Sequence, residues 1–177
     1  MTKTLRKIVL VSGAPGAGKT TLAVPLAERL GYPLFSKDFI KEALADALGE
    51  GDMDMAASRR IGSASMEIIW SLAARTPFAV LEANFRRHSK YERDKLVGLN
   101  AKIVEVYCDC GWDEASRRFA ARAATRKHHN AHPLKALPPE MAAEYDGPIG
   151  IGPVIIADTR REVDMDGLLM QVTQALL

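Results

Sequence analysis

The stretch GAPGAGKT, Gly13 to Thr20, limits what this 177-residue chain can fold into more than any other. It fits the phosphate-loop pattern GxxxxGK[ST] with Gly13, Gly18, Lys19 and Thr20 in register. Ahead of it, Ile8, Val9, Leu10 and Val11 form a continuous apolar run, as expected of a strand buried on both faces of a parallel sheet. Behind it, Leu22, Leu26 and Leu30, with Ala23 and Ala27, recur at helical spacing. Strand, glycine loop and helix therefore come in the order that a phosphate site requires. Glycines let backbone N–H groups approach an anion closely, and a helix amino terminus adds unpaired N–H groups and partial positive charge. Gly13, Ala14, Pro15, Gly16, Ala17, Gly18, Lys19, Thr20 and Thr21 are the candidate nucleotide contacts. In this motif Lys19 reaches the β- and γ-phosphates and Thr20 holds Mg2+ through its hydroxyl. Pro25 interrupts the helical stripe and predicts a bend or local opening.

The length suits one well-buried domain, residues 1–177, and is short for two. With 47% hydrophobic and 26% charged residues, the chain has the composition of a globular domain, not a disordered one. No signal peptide or membrane span is legible, which favours the cytoplasm. Cys108 and Cys110 are one residue apart at the end of a strand-like run, a spacing that argues neither a metal pair nor a disulfide framework. A buried, inert Cys108 is expected. Net charge is only +2, yet Ala115–Lys135 holds six Lys and Arg and no acid, leaving the remainder at −4. One basic segment is attached to a mildly acidic body.

Periodicity predicts a second strand at Tyr32–Ser36 and an amphipathic helix over Phe39–Leu48 capped by Ser36 or Asp38. A longer helix follows at Met55–Ala74, then a strand in PFAVLEANF. Next come a polar-faced helix in SKYERDKLVGL, a strand at Lys102–Cys108 and a helix after Trp112 carrying the arginines. A short strand at Val154–Asp158 precedes a last helix capped by Asp164. The alternation argues an α/β fold: a parallel sheet of five strands covered by helices on both faces. His128–Pro153 is irregular and rich in Pro and Gly, and beside the basic helix it suggests a mobile lid spanning roughly residues 117–150.

GAPGAGKTT, SKDFIKEAL, AVLEANFRR, RRFAARAATRKHHNAH and IIADTRREVDMDGL, in that order, resemble the small P-loop kinases that include zeta toxins, chloramphenicol phosphotransferase and the kinase domain of polynucleotide kinases. The resemblance implies a P-loop NTPase, kinase-like three-layer fold with a basic lid, and ATP with Mg2+ as cofactors. It implies that Asp38, just beyond the second strand, orients or deprotonates an acceptor hydroxyl and touches Mg2+. A plain helix cap is the alternative reading. Glu82 ends a strand where a Walker-B-like acid would help hold the metal, although Asp is commoner there; a surface glutamate is the rival. Arg86 and Arg87 follow, and either offers a planar fork for an acceptor, or a solvated helix entry.

Arg118, Arg122 and Arg126 lie four residues apart, on one helical stripe with no glutamate among them for i,i+4 pairing. Repelling like charges on one face make sense around an anion, and in a kinase that anion is the triphosphate. A general basic patch is the alternative. His128, His129 and His132 lack partners at zinc-site spacing and are read as lid residues.

Three functions compete. The first is an ATP-dependent kinase acting on a hydroxylated small molecule. The second is a kinase of polynucleotide 5′ ends or nucleotide sugars, disfavoured by the lack of a basic track beyond the lid. The third is a nucleotide-dependent switch with weak ATPase activity. No NKxD guanine-reading motif and no LSGGQ-like signature occurs.

Overall fold

The computed structural model describes residues 5–125 and 128–177. Five parallel strands, β1 (Arg6–Ser12), β2 (Leu34–Ser36), β3 (Phe78–Glu82), β4 (Ala101–Asp109) and β5 (Val154–Asp158), form one sheet in the order β2-β3-β1-β4-β5. Six helices connect and cover them: α1 (Lys19–Leu30), α2 (Lys37–Ala47), α3 (Met55–Ala73), α4 (Lys90–Gly98), α5 (Trp112–Ala123) and α6 (Met165–Ala175). This is the α/β architecture with a five-stranded sheet that the sequence predicts.

The continuous apolar run of β1 is explained by its neighbours. It is central, with Leu10 in register with Leu81 of β3 and with Glu105 of β4. Val9 and Val11 join Val80, Val104 and Val106 in a core under α1 and α6. Ile8 and Leu10 point the other way, joining Leu81, Ile103, Ile69 and Trp70 of α3, and Leu96 of α4. A strand covered on both faces has no polar side to spare.

The chain leaves β1 toward β2 and β3 and then crosses to β4 and β5, so the strand order reverses around β1. Open α/β sheets bind ligands at the carboxyl edge of such a reversal. The loops after β1, β2 and β3 all open there.

Several boundaries shift for local reasons. β2 is only three residues long, because Ser36 turns directly into α2: its Oγ accepts a 3.5 Å hydrogen bond from the Phe39 N–H. β3 stops at Glu82, and Phe85 instead packs against Trp70 with ring centroids 6.0 Å apart. α1 continues unbroken through Pro25. The carbonyl that proline deprives of a partner belongs to Thr21, which is exposed to solvent.

Residues 128–153 carry regular structure and buried side chains. They contain a six-residue 3-10 helix at Pro139–Glu144 and bury Ala131, Leu137 and Ile149. Their far end is fixed by Glu105, a fully buried carboxylate in β4 that accepts from Ser12 Oγ (2.5 Å), Ile149 N–H (3.0 Å) and Gly150 N–H (2.8 Å). Among the described residues, no helix is long and apolar enough to cross a membrane.

Candidate active site

The phosphate loop is shaped by contacts that admit only glycine. Gly13 has φ of 136°, and a Cβ there would stand 2.5 Å from the Cys108 carbonyl oxygen of β4. At Gly16 (φ 88°) a Cβ would come within 2.1 Å of the Ala115 carbonyl of α5. The loop is thus pressed against β4 and α5 by its backbone. α1 starts at Gly18 without a side-chain cap and without an acid in its first turn, so its leading N–H groups face outward uncapped. Lys19 reaches back across the loop, its Nζ donating to the Ala14 carbonyl at 2.8 Å. Burial lowers the Lys19 pKa, opposed by the charges of Glu82 and Asp38, while Arg122 adds a push in the same direction as burial.

The cavity above the loop, about 440 Å³, gathers residues from distant parts of the chain. Gly16, Gly18, Lys19, Thr20 and Thr21 line one side; Asp38, Glu82, Arg118 and Arg122 also border it. So do Lys37, Lys41, Ser58 and Asn84, together with His132, Leu137 and Tyr145 of the stretch after α5.

Glu82 is no surface glutamate: it is 2% exposed. It accepts from Ser36 Oγ and, at 3.4 Å, from Thr20 Oγ1. Burial raises its pKa, against the pull of Lys19 and the Ser36 hydrogen bond. Thr20 hydroxyl and Glu82 carboxylate thus already face each other, and Asp38 lines the same cavity; oxygen donors of this kind are the ones Mg2+ takes.

Asp38 does not cap α2, since Ser36 does. It lies in the first turn of α2, half-buried, and among the described residues no hydrogen bond or ion pair restrains its carboxylate. Desolvation would raise its pKa, but His132, Lys37, Lys19 and Lys41 together hold it below the usual carboxylate value. The result is a carboxylate held low in pKa, with no hydrogen-bond partner among the described residues, on the wall of the cavity.

The arginine stripe is corrected in one respect. The missing i,i+4 partner exists: Glu114, one residue ahead of the acid-free segment, accepts from Arg118 Nε at 2.6 Å and from Arg117 as well. Arg118 also donates to the Thr159 carbonyl at 2.9 Å, which ties α5 to the end of β5. Arg122 has no carboxylate partner among the described residues; its guanidinium lies 5.7 Å from the centroid of the Phe119 ring. Arg126 lies outside the described residues.

Arg86 and Arg87 do not border this cavity. Arg86 is engaged by the buried Glu92, which accepts from its backbone N–H (2.6 Å) and from its guanidinium (3.3 Å). It lines a second cavity of about 700 Å³ between α2, α3 and the loop after β3. Arg87 is exposed and lies against Gly147. Cys108 is buried, and desolvation pushes its thiol up to about 12. The histidines go to acids and backbone: His132 to Glu42 (3.0 Å), His129 to Asp46 (3.2 Å) and His128 to the His132 carbonyl (2.5 Å).

Lys37, Lys41 and Ser58 are pocket residues that motif reading passed over. A signal existed for the lysines, because they flank Asp38 at i,i+4 spacing within SKDFIKEAL. Ser58 had none, since a serine inside a helix is unremarkable.

Sheet order, glycine loop and cavity together define a P-loop kinase fold. A profile of the AAA domain family (AAA_33) matches residues 8–147, and the chain belongs to that family. A solved structure from Chloroflexus aurantiacus, described as a "putative kinase", is 27% identical with a TM-score of 0.82 and covers 99% of this chain and 100% of its own. The fold also matches a Sinorhizobium meliloti gluconokinase (16% identity, TM-score 0.59, 98% and 93% covered). It matches, too, the Mycobacterium tuberculosis APS kinase solved with AMPPNP and APS (19% identity, TM-score 0.57, 98% and 99% covered). No curated protein matches the chain.

Proposed function

We propose that this protein is an ATP-dependent phosphotransferase that moves the γ-phosphate of ATP to a hydroxyl of a small molecule. The observation that carries the reading is the Asp38 carboxylate, held low in pKa, sharing one cavity with Lys19, Thr20, Glu82 and Arg122. In the reaction, a bond forms between the acceptor oxygen and the γ-phosphorus, and the bond from that phosphorus to the β–γ bridging oxygen breaks. The products are ADP and a phosphate ester, and the hydroxyl proton passes to Asp38.

A depressed pKa makes Asp38 a weak base. That suits phosphoryl transfer, where a loose transition state needs the acceptor oxygen held in line and takes its proton late. Lys19, the uncapped end of α1 and Arg122 supply positive charge where negative charge gathers on the phosphates. Thr20, Glu82 and Asp38 are the residues that would hold Mg2+, which when bound neutralises charge on the β- and γ-phosphate oxygens. Residues 128–150 act as the cover that excludes water, through Leu137 and Tyr145.

ADP release screened against hydroxylated metabolites, antibiotics, nucleosides and 5′-hydroxyl oligonucleotides tests the proposal. Strong stimulation by one class of small hydroxyl compound is expected. Stimulation by oligonucleotides alone would move the acceptor to a nucleic-acid end, and slow ADP release that no acceptor changes would favour a nucleotide switch.

A further inference from the structure

We infer that the acceptor carries an anionic group, a carboxylate or a phosphate, held by Lys37 and Lys41 beside Asp38. This rests on the kinase reading above.

The two lysines stand one turn apart at the start of α2. Their alkyl chains converge on Gly62 of α3, where an added Cβ would lie 3.9 Å from the Cε of each. Lys41 is 7% exposed, and its ammonium donates to Ser58 Oγ at 2.7 Å and lies 3.5 Å from His132 Nδ1. Among the described residues no carboxylate comes within ion-pair distance of it. Lys37 has no hydrogen-bond or ion-pair partner among those residues either. Burying an ammonium without a carboxylate is costly unless something else meets the charge.

The other acids around the lysines, Asp38 apart, are already engaged. Glu92 is bound to Arg86, Glu67 to Lys95 and Tyr91, and Glu42 to His132. Only Asp38 and Glu42 on the same helix attract Lys41 electrostatically, and burial together with Lys37 still lowers its pKa. Two ammonium groups thus stand one turn apart with no carboxylate bonded to either among the described residues.

Both lysines stand where the two cavities meet. Lys37, Lys41, Ser58, Asn84 and Tyr145 line both cavities, whereas no phosphate-loop residue lines the second. The lysines mark the passage between the two, with Asp38 on the nucleotide side. A hydroxylated anion seated on Lys37 and Lys41 would present its hydroxyl toward Asp38. Two ammonium groups from one helix meet a carboxylate or a phosphate equally well; Arg59, with no partner among the described residues, also lines the outer cavity.

The test measures binding, so that it stands apart from turnover. Protein loaded with AMPPNP and Mg2+ is titrated calorimetrically with glycerol, glycerate and glycerol 3-phosphate, and with glucitol, gluconate and glucitol 6-phosphate. Wild type, Lys41→Met, Lys37→Met and the double variant are compared. In at least one series an anionic member should bind at least ~10-fold more tightly than its neutral parent, as expected for one charge-assisted contact. The double variant should erase that preference. Preference for the acid or the phosphate ester tells which anion the site takes. Lys41→Met should keep or raise the melting temperature at neutral pH, because it removes a buried unpaired charge. Equal binding of neutral and anionic members, or a preference that survives in the double variant, overturns the inference. So does a loss of AMPPNP affinity in the double variant, which would give the lysines to the nucleotide. ADP release by the same samples reports on the kinase reading separately.

Discussion

The two ends of the cavity are built by different means. At the nucleotide end the work is done by backbone: Gly13 and Gly16 lie against the carbonyls of Cys108 and Ala115, and α1 offers uncapped N–H groups. At the end proposed for the acceptor it is done by side chains from separate segments, with Lys41 of α2, Ser58 of α3 and His132 meeting within hydrogen-bond reach. Backbone sites are rigid because moving them means breaking packing against the sheet. Side-chain sites can be retuned by single substitutions. The contrast fits an enzyme type in which the phosphate donor is constant and the acceptor varies.

If that contrast is sound, damage at the nucleotide end strikes every acceptor alike. Lys19→Ala should lower kcat by on the order of 10³-fold or more with any acceptor, since it removes the ammonium that offsets phosphate charge. Steady-state rates with two acceptors check it, and unequal losses would break the comparison.

The arginines should divide. Arg122→Ala should cut kcat by about 10²-fold, as loss of one transition-state charge contact does. Arg118 is committed to Glu114 and Thr159, so Arg118→Ala should cost less rate and instead lower the melting temperature by about a few degrees. The reverse pattern would place Arg118 on the phosphates.

At the acceptor end, Ser58→Ala removes the hydroxyl that receives Lys41 and donates to the Ala131 carbonyl at 2.9 Å. It should raise the acceptor KM by about 10-fold, the loss of one hydrogen bond to a charged group, and leave kcat and the ATP KM nearly unchanged. A matching rise in the ATP KM would show that the two ends are not separate.

The smallest effect expected is with pH. Burial lowers the folded-state pKa of His132, although Asp38 and Glu42 pull it upward. Its contribution to holding the covering stretch is complete above the ordinary value of about 6.5 and is lost as pH falls through the folded value. Proteolysis within residues 128–150 should therefore quicken on acidification, and His132→Asn should flatten the trend. A wild-type rate of cutting independent of pH would remove His132 from that role.

The same contrast explains what the sequence made legible. Gly13–Thr20 announces itself because a backbone site needs particular residues at particular spacing, and the buried strands are readable as unbroken apolar runs. Lys41, Ser58 and His132 meet only through the packing of α2, α3 and the covering stretch, which no local pattern encodes. Glu105 stands as one acid in an apolar strand, and a carboxylate amid such a run must be satisfied by something distant, here Ile149 and Gly150. The pairing of Arg118 with Glu114 is hard to read because that acid stands just before the acid-free stretch.

Asp38 offers the most direct test that the cavity transfers phosphate to a hydroxyl. Turnover with whichever compound stimulates ADP release is compared between wild type and Asp38→Asn, with AMPPNP affinity and melting temperature taken on the same samples. Ser36 caps α2, so the substitution leaves the helix intact. The expected result is a fall in kcat of on the order of 10²–10⁴, with affinity and melting temperature hardly moved. A stable Asp38→Asn protein turning over at close to the wild-type rate would contradict the account.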